Sequence, residues 1–202
     1  MNIFKYGQTE IDYLKKRDKI LGKAIDEIGM IKREVIPDLF TALISNIIGQ
    51  QISSKAASTI WNKMQEHFME ITPEVIVKAT NEEIQQCGIS ARKADYIKGV
   101  AQAVVQGHLN LSELQTLPDN EVIKRLTSLK GVGVWTAEMM LIFSMQRPDV
   151  VSWGDLGIKR GMMKLYGLEE LTREQFEKYR KRYSPYGSVA SLYLWAMASK
   201  SK

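Results

Sequence analysis

The apolar residues of this chain recur at the three- and four-residue spacing of amphipathic helices along almost its whole length. In residues 10–28, for example, Ile11, Leu14, Leu21 and Ile25 fall on one stripe, and charged residues occupy most of the other positions. Runs in which apolar and polar residues alternate, as they do in a half-buried strand, are scarce. The pattern predicts an all-α protein of about ten helices.

Turn-forming residues divide this pattern into helices with short connections. The first helix, over residues 10–28, is expected to end near Gly29, and a second to run from Pro37 to Gly49. Further helices are expected to begin near Ser53, Thr72-Pro73, Asn81, Ala91, Pro118, Thr136, Asp155 and Ser188. Because the connections are short and no flexible linker interrupts them, composition marks no domain boundary.

Charge and cysteine content narrow the function classes. The net charge is +5 and the pI is near 9.2, which suits an anionic partner such as nucleic acid but is shared by many soluble proteins. The single cysteine, Cys87, excludes an intrachain disulfide, a four-cysteine iron–sulfur cluster and a cysteine-based structural zinc site. No signal peptide or membrane-spanning run is apparent, so we expect a cytoplasmic protein, associated with the nucleoid if it is bacterial.

The stretch LKGVGVWTAEMM, residues 129–140, places two glycines in a tight turn between two predicted helices. Gly131 and Gly133 allow positive φ angles and close approach of another molecule, with amide N–H groups at the start of the next helix. Such a turn can hold a phosphate. The preceding segment is helical and Thr136 stands where a third glycine would be needed, which excludes a dinucleotide-binding fingerprint, and the P-loop GK[ST] is missing. A plain glycine turn between packed helices remains the alternative.

The segment after this hairpin, MQRPDVVSWGDLGIKRG, contains two acidic residues, Asp149 and Asp155, and Asp155 directly precedes a helix-like run. Aspartate is a favoured N-cap, so Asp155 is expected to cap that helix. A carboxylate at the same place can also serve catalysis, and the two roles are compatible.

The pairing of this hairpin with a downstream aspartate resembles the helix-hairpin-helix DNA glycosylase superfamily. The superfamily signature, L-x-G-V-G-x-x-T-A followed by a loop and an aspartate, is matched by Leu129, Gly131, Val132, Gly133, Thr136, Ala137 and Asp155. Three more stretches are similar to the 3-methyladenine DNA glycosylase II branch: IIGQQIS at 47–53, GISARKADYI at 88–97 and YSPYGSVASLYLWAMA at 183–198. The resemblance extends from about residue 30 to the end of the chain.

The resemblance implies one glycosylase unit over residues 1–202, without the N-terminal β-rich domain of larger bacterial members. It implies two helical lobes. Residues 30–115 would carry the wedge turn IIGQQIS, and residues 1–29 with 116–202 would carry the hairpin and the catalytic aspartate.

It also implies a reaction. Such enzymes rotate a damaged nucleotide out of duplex DNA and hydrolyse the bond between base and deoxyribose, here of alkylated purines such as 3-methyladenine and 7-methylguanine. Asp155 would be the catalytic carboxylate, stabilising the oxocarbenium-like sugar and orienting the attacking water. Asp149 lies where the superfamily signature has no catalyst, so it is expected to have a turn or loop role. Trp135 stands where bifunctional members such as endonuclease III have a nucleophilic lysine, so no strand-cutting lyase activity is expected.

Further site residues follow from the same resemblance. The base pocket would be formed by Ser53, Trp135, Met139, Phe143, Trp153 and Trp195. The DNA wedge would be Gln50 and Gln51. Contacts to the DNA backbone would come from Lys55, Lys130, Gly131, Val132, Gly133 and Thr136, with Arg92, Lys93, Lys98 and Lys159 also near the DNA face. Met139 and Phe143 fit an ordinary core equally well, and Gln50 and Gln51 fit a polar turn.

Two positions depart from the family pattern. Trp153, two residues before Asp155, is expected to narrow the mouth of the pocket or to add a stacking surface. Gly187 stands at a position that is often arginine, which removes one expected contact.

No cofactor is expected to be required, but the family binds a Na+ or K+ ion at the hairpin when DNA is present. The carbonyls that match are those of Thr127, Leu129 and Val132. The expected partner is damaged double-stranded DNA, bound by a monomer. The alternatives are a glycosylase for another lesion (hypoxanthine, ethenoadenine or an oxidised purine) and a non-catalytic module that binds distorted DNA.

Overall fold

A computed structural model describes residues 2–200 of the chain. Within those residues the regular structure consists of thirteen helices and one isolated antiparallel bridge between Ile3 and Glu34, with no strand. The all-α prediction is therefore confirmed. None of the helices in the described range is long and apolar enough to cross a membrane.

The chain divides into two compact units. A terminal unit combines the residues up to Val35 with those from Leu141 onward, and an internal unit comprises Ile36–Met140. The expected lobes had their second boundary near residue 115, whereas here the segment 116–140 belongs to the internal unit. The physical reason is local: the hairpin at 131 hydrogen-bonds to the Gln50 side chain and packs on Tyr96.

The internal unit contains the wedge turn and the hairpin. Its helices are α3 Leu39–Gly49, α4 Ser54–Phe68, α5 Pro73–Lys78, α6 Asn81–Gln86, α7 Ala91–Val105, α8 Leu111–Leu114, α9 Asp119–Thr127 and the first part of α10 Val134–Phe143. Side-chain oxygens begin most of them: Asp38, Ser53, Thr72, Thr80, Ser90 and Asn110 each accept a backbone N–H of the following helix. Helix α3 is buried on most sides, which its run of Leu and Ile residues predicts.

The terminal unit contains the aspartate predicted to be catalytic. Its helices are α1 Gln8–Arg17, α2 Lys19–Ile28, α11 Leu156–Tyr166, α12 Arg173–Tyr183 and α13 Gly187–Ser199, with the last residues of α10. Helices α11 and α13 touch backbone to backbone, because a Cβ on Gly161 would collide with the carbonyl of Leu194. Helix α13 is buried over most of its length.

The helix prediction was wrong at one place and omitted two helices. The single helix expected over 10–28 is two helices, because Asp18 takes an extended conformation (φ −141°) and caps α2. Helices α8 and α12 were not predicted. Helix α12, REQFEKYRKRY, is mostly charged, and only Phe176 and Tyr183 are buried, so its periodic signal is weak.

Asp18 anchors a polar network inside the terminal unit. The residue is only 3% exposed, and its side chain accepts the N–H groups of Ile20 and Leu21. It also accepts the Tyr166 hydroxyl at 2.7 Å and the Arg182 guanidinium at 3.0 Å. Burial alone would raise the pKa of Asp18, but these hydrogen bonds and the charge of Arg182 together hold the pKa below its usual value.

We expect Asp18→Asn to lower the free energy of unfolding by about 2 kcal/mol or more at neutral pH, since it weakens a buried charge-assisted network. The folded-state pKa is depressed, so the contribution of Asp18 is complete above its unfolded pKa and is lost as pH falls through the folded value. Urea unfolding at pH 7 and in acid measures both effects. Asp26→Asn, at an exposed ion pair with Lys15, is the control and should change stability by less than about 0.5 kcal/mol. Equal stabilities of the Asp18 variant and the wild type at pH 7 would contradict this account.

Candidate active site and DNA interface

Asp155 caps helix α11 and is held by two N–H donors. Its Oδ1 atom accepts the backbone N–H of Ile158 at 2.7 Å and the indole N–H of Trp195 at 2.9 Å. The residue is 8% exposed. The predicted N-cap role is confirmed, and the bond from Trp195 is an additional one that capping does not require.

Trp195, the indole partner of Asp155, packs against a second predicted pocket aromatic, Phe143. The rings of Phe143 and Trp195 are 5.3 Å apart and tilted by 32°. The guanidinium of Arg33 lies 5.0 Å from the centre of the Phe143 ring, a cation–π distance. The terminal unit therefore brings Asp155, Trp195 and Phe143 into one cluster, although they are far apart in sequence.

Trp153 has a different environment. Its ring packs edge-on against Phe176 at 5.1 Å. The ammonium of Lys159 and the guanidinium of Arg173 lie 4.8 Å and 5.1 Å from its ring centre. Lys159, expected near the DNA face, is thus engaged by Trp153, and the ring is already in contact with cations of its own unit.

Asp149, the other carboxylate near Asp155 in sequence, supports the start of α13. It accepts the Ser184 hydroxyl at 2.6 Å and the Gly187 N–H at 3.1 Å. Its expected loop role is confirmed. A Cβ on Gly187 would lie 2.6 Å from the Asp149 carboxylate, so this chain has no space for the arginine often found there.

In the internal unit, the two glutamines of the wedge turn differ. The Gln50 amide donates to the Gly131 carbonyl at 2.9 Å and to the Thr136 hydroxyl at 3.3 Å. It therefore ties the wedge turn to the hairpin. Gln51 is exposed and has a φ of 57°, a conformation that is strained for a non-glycine residue and occurs often at functional sites.

Lys93 caps the end of α3. Its ammonium donates to the carbonyls of Ile48 and Gln50, both at 2.7 Å. Burial, together with the nearby charge of Arg92, lowers the pKa of Lys93. Lys98 similarly donates to the Ala79 carbonyl. Both lysines were expected near a DNA face. Their hydrogen bonds to backbone carbonyls could not be predicted from the spacing of residues in the sequence.

The two hairpin glycines, Gly131 and Gly133, have different surroundings. Gly131 has a φ of +88°, and a Cβ there would overlap the Tyr96 ring, so the internal packing of the unit requires glycine. At Gly133 a Cβ would meet no atom within 4 Å. Thr136 is buried with its hydroxyl accepting from Gln50, whereas Lys130 is exposed.

Helix α10 starts directly after these glycines and displays apolar groups at its first turn. Val134 is 56% and Trp135 39% exposed, while Met139 is buried. Trp135 is therefore partly exposed next to the hairpin, and Met139 contributes to the core. Helix α10 passes from the internal to the terminal unit after Met140.

Ser53 and Lys55 lie at the start of α4. The Ser53 hydroxyl accepts the N–H of Ala56 at 3.2 Å and so caps the helix, and Lys55 is exposed. No group of three or more His, Cys, Asp or Glu side chains among residues 2–200 is placed to hold a metal ion. The carbonyls of Thr127, Leu129 and Val132 lie at the C-terminal end of α9 and in the hairpin, where helical carbonyls lack intrahelical donors. The Leu129 carbonyl accepts the Val132 N–H at 3.1 Å.

The internal unit thus holds its hairpin against a polar turn, and the terminal unit holds a capping aspartate with an indole partner. The model of the HhH-GPD superfamily of base excision DNA repair proteins matches residues 44–185, and the chain belongs to this family. DNA-3-methyladenine glycosylase 1 of Schizosaccharomyces pombe is 36% identical over 186 residues, which are 90% of this chain and 80% of the relative.

Solved structures agree in fold. A DNA-3-methyladenine glycosidase from Bacillus halodurans has a TM-score of 0.86 and 36% identity, covering 99% of this chain and 94% of its own. A 3-methyladenine DNA glycosylase of Schizosaccharomyces pombe, solved in complex with abasic DNA, has a TM-score of 0.83 and 32% identity, covering 93% and 95%.

The two hairpin glycines give a matched pair of variants. We expect Gly131→Ala to lower the free energy of unfolding by about 2 kcal/mol or more, because of its positive φ and the Tyr96 ring. Gly133→Ala should change it by less than about 0.5 kcal/mol, since its Cβ would meet open space. Denaturant unfolding compares them. Similar losses for both would show that the Tyr96 contact does not determine the glycine requirement.

The cap on α3 gives a second prediction. Lys93→Met keeps the length of the side chain but removes two N–H donors, so the free energy of unfolding should fall by about 1 to 3 kcal/mol. Arg92→Met, at the exposed neighbouring position, should leave stability nearly unchanged. Thermal unfolding of both variants checks this. A Lys93 variant as stable as the Arg92 variant would mean that the hydrogen bonds from the ammonium to the two carbonyls do not stabilise the fold.

Proposed function

We propose that this protein is a DNA N-glycosylase of base excision repair that hydrolyses the N-glycosidic bond of flipped-out alkylated purines, of the 3-methyladenine and 7-methylguanine type. The observation that carries the proposal is Asp155: a buried carboxylate, held by two N–H donors, at the position of the family's aspartate. The names of the relatives, DNA-3-methyladenine glycosylases, support the substrate class.

The chemistry suits a single carboxylate. As the bond to the base breaks, the sugar gains oxocarbenium character, and a fixed carboxylate in a site poor in water stabilises that charge. The same group can orient or deprotonate the attacking water. A purine alkylated at N3 or N7 is already cationic, so it leaves without strong help from a general acid.

DNA would contact the exposed part of the internal unit. Gln51 is the wedge residue in this proposal, because its side chain is exposed while that of Gln50 is committed to the hairpin. Flipping costs a few kcal/mol, and a side chain that fills the gap stabilises the flipped state. Phosphate would bind the hairpin amides near Gly133, helped by the exposed Lys130 and Lys55.

Trp135 would be a wall of the base pocket. Trp135 is 39% exposed, and an indole ring can stack on an electron-poor alkylated base, an interaction worth about 0.5 to 2 kcal/mol. With no lysine at this position, the enzyme is monofunctional in this proposal and leaves the abasic site uncut. We also propose that it acts as a monomer, and that a Na+ or K+ ion joins the Thr127, Leu129 and Val132 carbonyls to a DNA phosphate.

Asp155→Asn tests the catalytic assignment cleanly. Asparagine caps helices as well as aspartate does and can still accept the N–H bonds, so the fold should persist while the negative charge is lost. We expect release of 7-methylguanine and 3-methyladenine from methylated duplex DNA to fall by about 100-fold or more under single-turnover conditions. Asp149→Asn, at the start of α13, is the matched control and should retain release. Unchanged release by the Asp155 variant would remove it from catalysis.

The same assay separates the alternatives. A wild type that binds duplex DNA but releases no base would identify a non-catalytic module for distorted DNA. Release of hypoxanthine, ethenoadenine or an oxidised purine in preference to alkylated purines, measured on duplexes with one lesion each, would identify a glycosylase for another lesion. Borohydride trapping of a covalent complex would contradict the monofunctional assignment.

A further inference from the structure

The hydrogen bond from Trp195 to Asp155 joins two helices at the proposed catalytic atom. Asp155 begins α11, and Trp195 lies forty residues later in α13. An N-cap aspartate needs only the backbone N–H of its own helix, which Ile158 supplies here. The indole N–H is therefore an additional donor that comes from another element, and indole nitrogen can only donate.

Two donors that converge on one oxygen from different helices restrict the rotation of a carboxylate. The Ile158 N–H approaches Oδ1 along α11, and the indole N–H approaches it from α13. Both bonds are charge-assisted, and such bonds are roughly twice as strong as neutral ones. A catalytic group that must face a sugar carbon gains rate when its orientation is set before the substrate arrives.

The spacing of α11 and α13 makes this bond possible. At Gly161 the Leu194 carbonyl occupies the place where a side chain would begin. One turn earlier, a Cβ on Gly157 would lie 2.8 Å from Cδ1 and 3.2 Å from Nε1 of Trp195. The same Cβ would lie 3.1 Å from Oδ1 of Asp155, so it would crowd both partners of the hydrogen bond from one side.

We propose that Trp195 is a positioning residue for Asp155, acting through its indole N–H rather than only through its ring face. Gly157 and Gly161 are then glycine because α13 must approach α11 closely enough for this bond to form. The inference rests on the proposed catalytic role of Asp155. It adds a function to Trp195 beyond a pocket wall, and it assigns a reason to two glycines that the hairpin and the DNA contacts do not involve.

The first test is Trp195→Phe, which keeps an aromatic ring beside Phe143 and removes the N–H. We expect single-turnover release of 7-methylguanine to fall by about 10- to 100-fold, with duplex affinity, measured by fluorescence anisotropy, within about twofold of the wild type. Trp61→Phe, in α4, is the matched control and should retain the wild-type rate. Release at the wild-type rate by the Trp195 variant, or a loss confined to DNA affinity, would overturn the positioning role.

Gly157→Ala gives an independent perturbation that leaves Trp195 in place. The added methyl group would force the ring or the carboxylate to move, so the release rate should fall while DNA affinity persists. Gly99→Ala is the control, because that glycine is also helical and its Cβ would meet no atom within 4 Å. A Gly157 variant as active as the Gly99 variant would contradict the proposal.

A spectroscopic measurement tests the bond without any activity. The chain has four tryptophans, so four indole N–H signals are expected in a proton–nitrogen spectrum, and the Trp195 variant identifies one of them. That signal should move upfield in Asp155→Ala and stay in place in Asp149→Asn. An unmoved signal would show that the bond is absent in solution. A wild type that releases no alkylated base overturns the proposed function and the positioning role together, whereas an active wild type with an unaffected Trp195 variant overturns the positioning role alone.

Discussion

The terminal unit depends on the direct backbone contact between α11 and α13. No side chain separates Gly161 from the Leu194 carbonyl, and this contact determines what the neighbouring residues can reach. It brings the indole of Trp195 to the carboxylate of Asp155 at the first turn of α11. A β-carbon at the contact would push the helices apart, and the hydrogen bond is too short-ranged to survive a shift of that size. The geometry that we propose for catalysis and the packing of the core thus depend on the same contact in this unit.

In the internal unit, side chains that hold loops in place have the corresponding role. The wedge turn and the hairpin, which we propose to contact DNA, are connections between helices, and hydrogen bonds from side chains hold both of them. Lys93 closes the open carbonyls at the end of α3, and Gln50 joins that turn to Gly131. Tyr96 packs under the same glycine. Such bracing lets Gln51 keep a strained backbone angle that an isolated turn would relax.

Sequence patterns predicted the class of structure well because helical periodicity and capping are local. The helices after Ser53, Thr72 and Asp155 begin where side-chain oxygens predicted them. The break at Asp18 was missed, because the apolar stripe continues across it, and the network with Tyr166 and Arg182 that stabilises the break comes from residues more than a hundred positions away. Helix α12 was missed because charge, not apolar spacing, dominates it.

The sequence by itself determined that this chain is helical, that a glycine hairpin precedes a capping aspartate, and that no lysine stands at position 135. Only the tertiary structure decided which partners the individual side chains contact. It assigned Gln50 and Lys93 to bracing, left Gln51 exposed, set Trp153 against Phe176 and joined Trp195 to Asp155. The physical reason is the range of the interactions. Capping and helical periodicity act within one or two turns, whereas these contacts join residues that are far apart in sequence, and local patterns do not indicate that they are close in space.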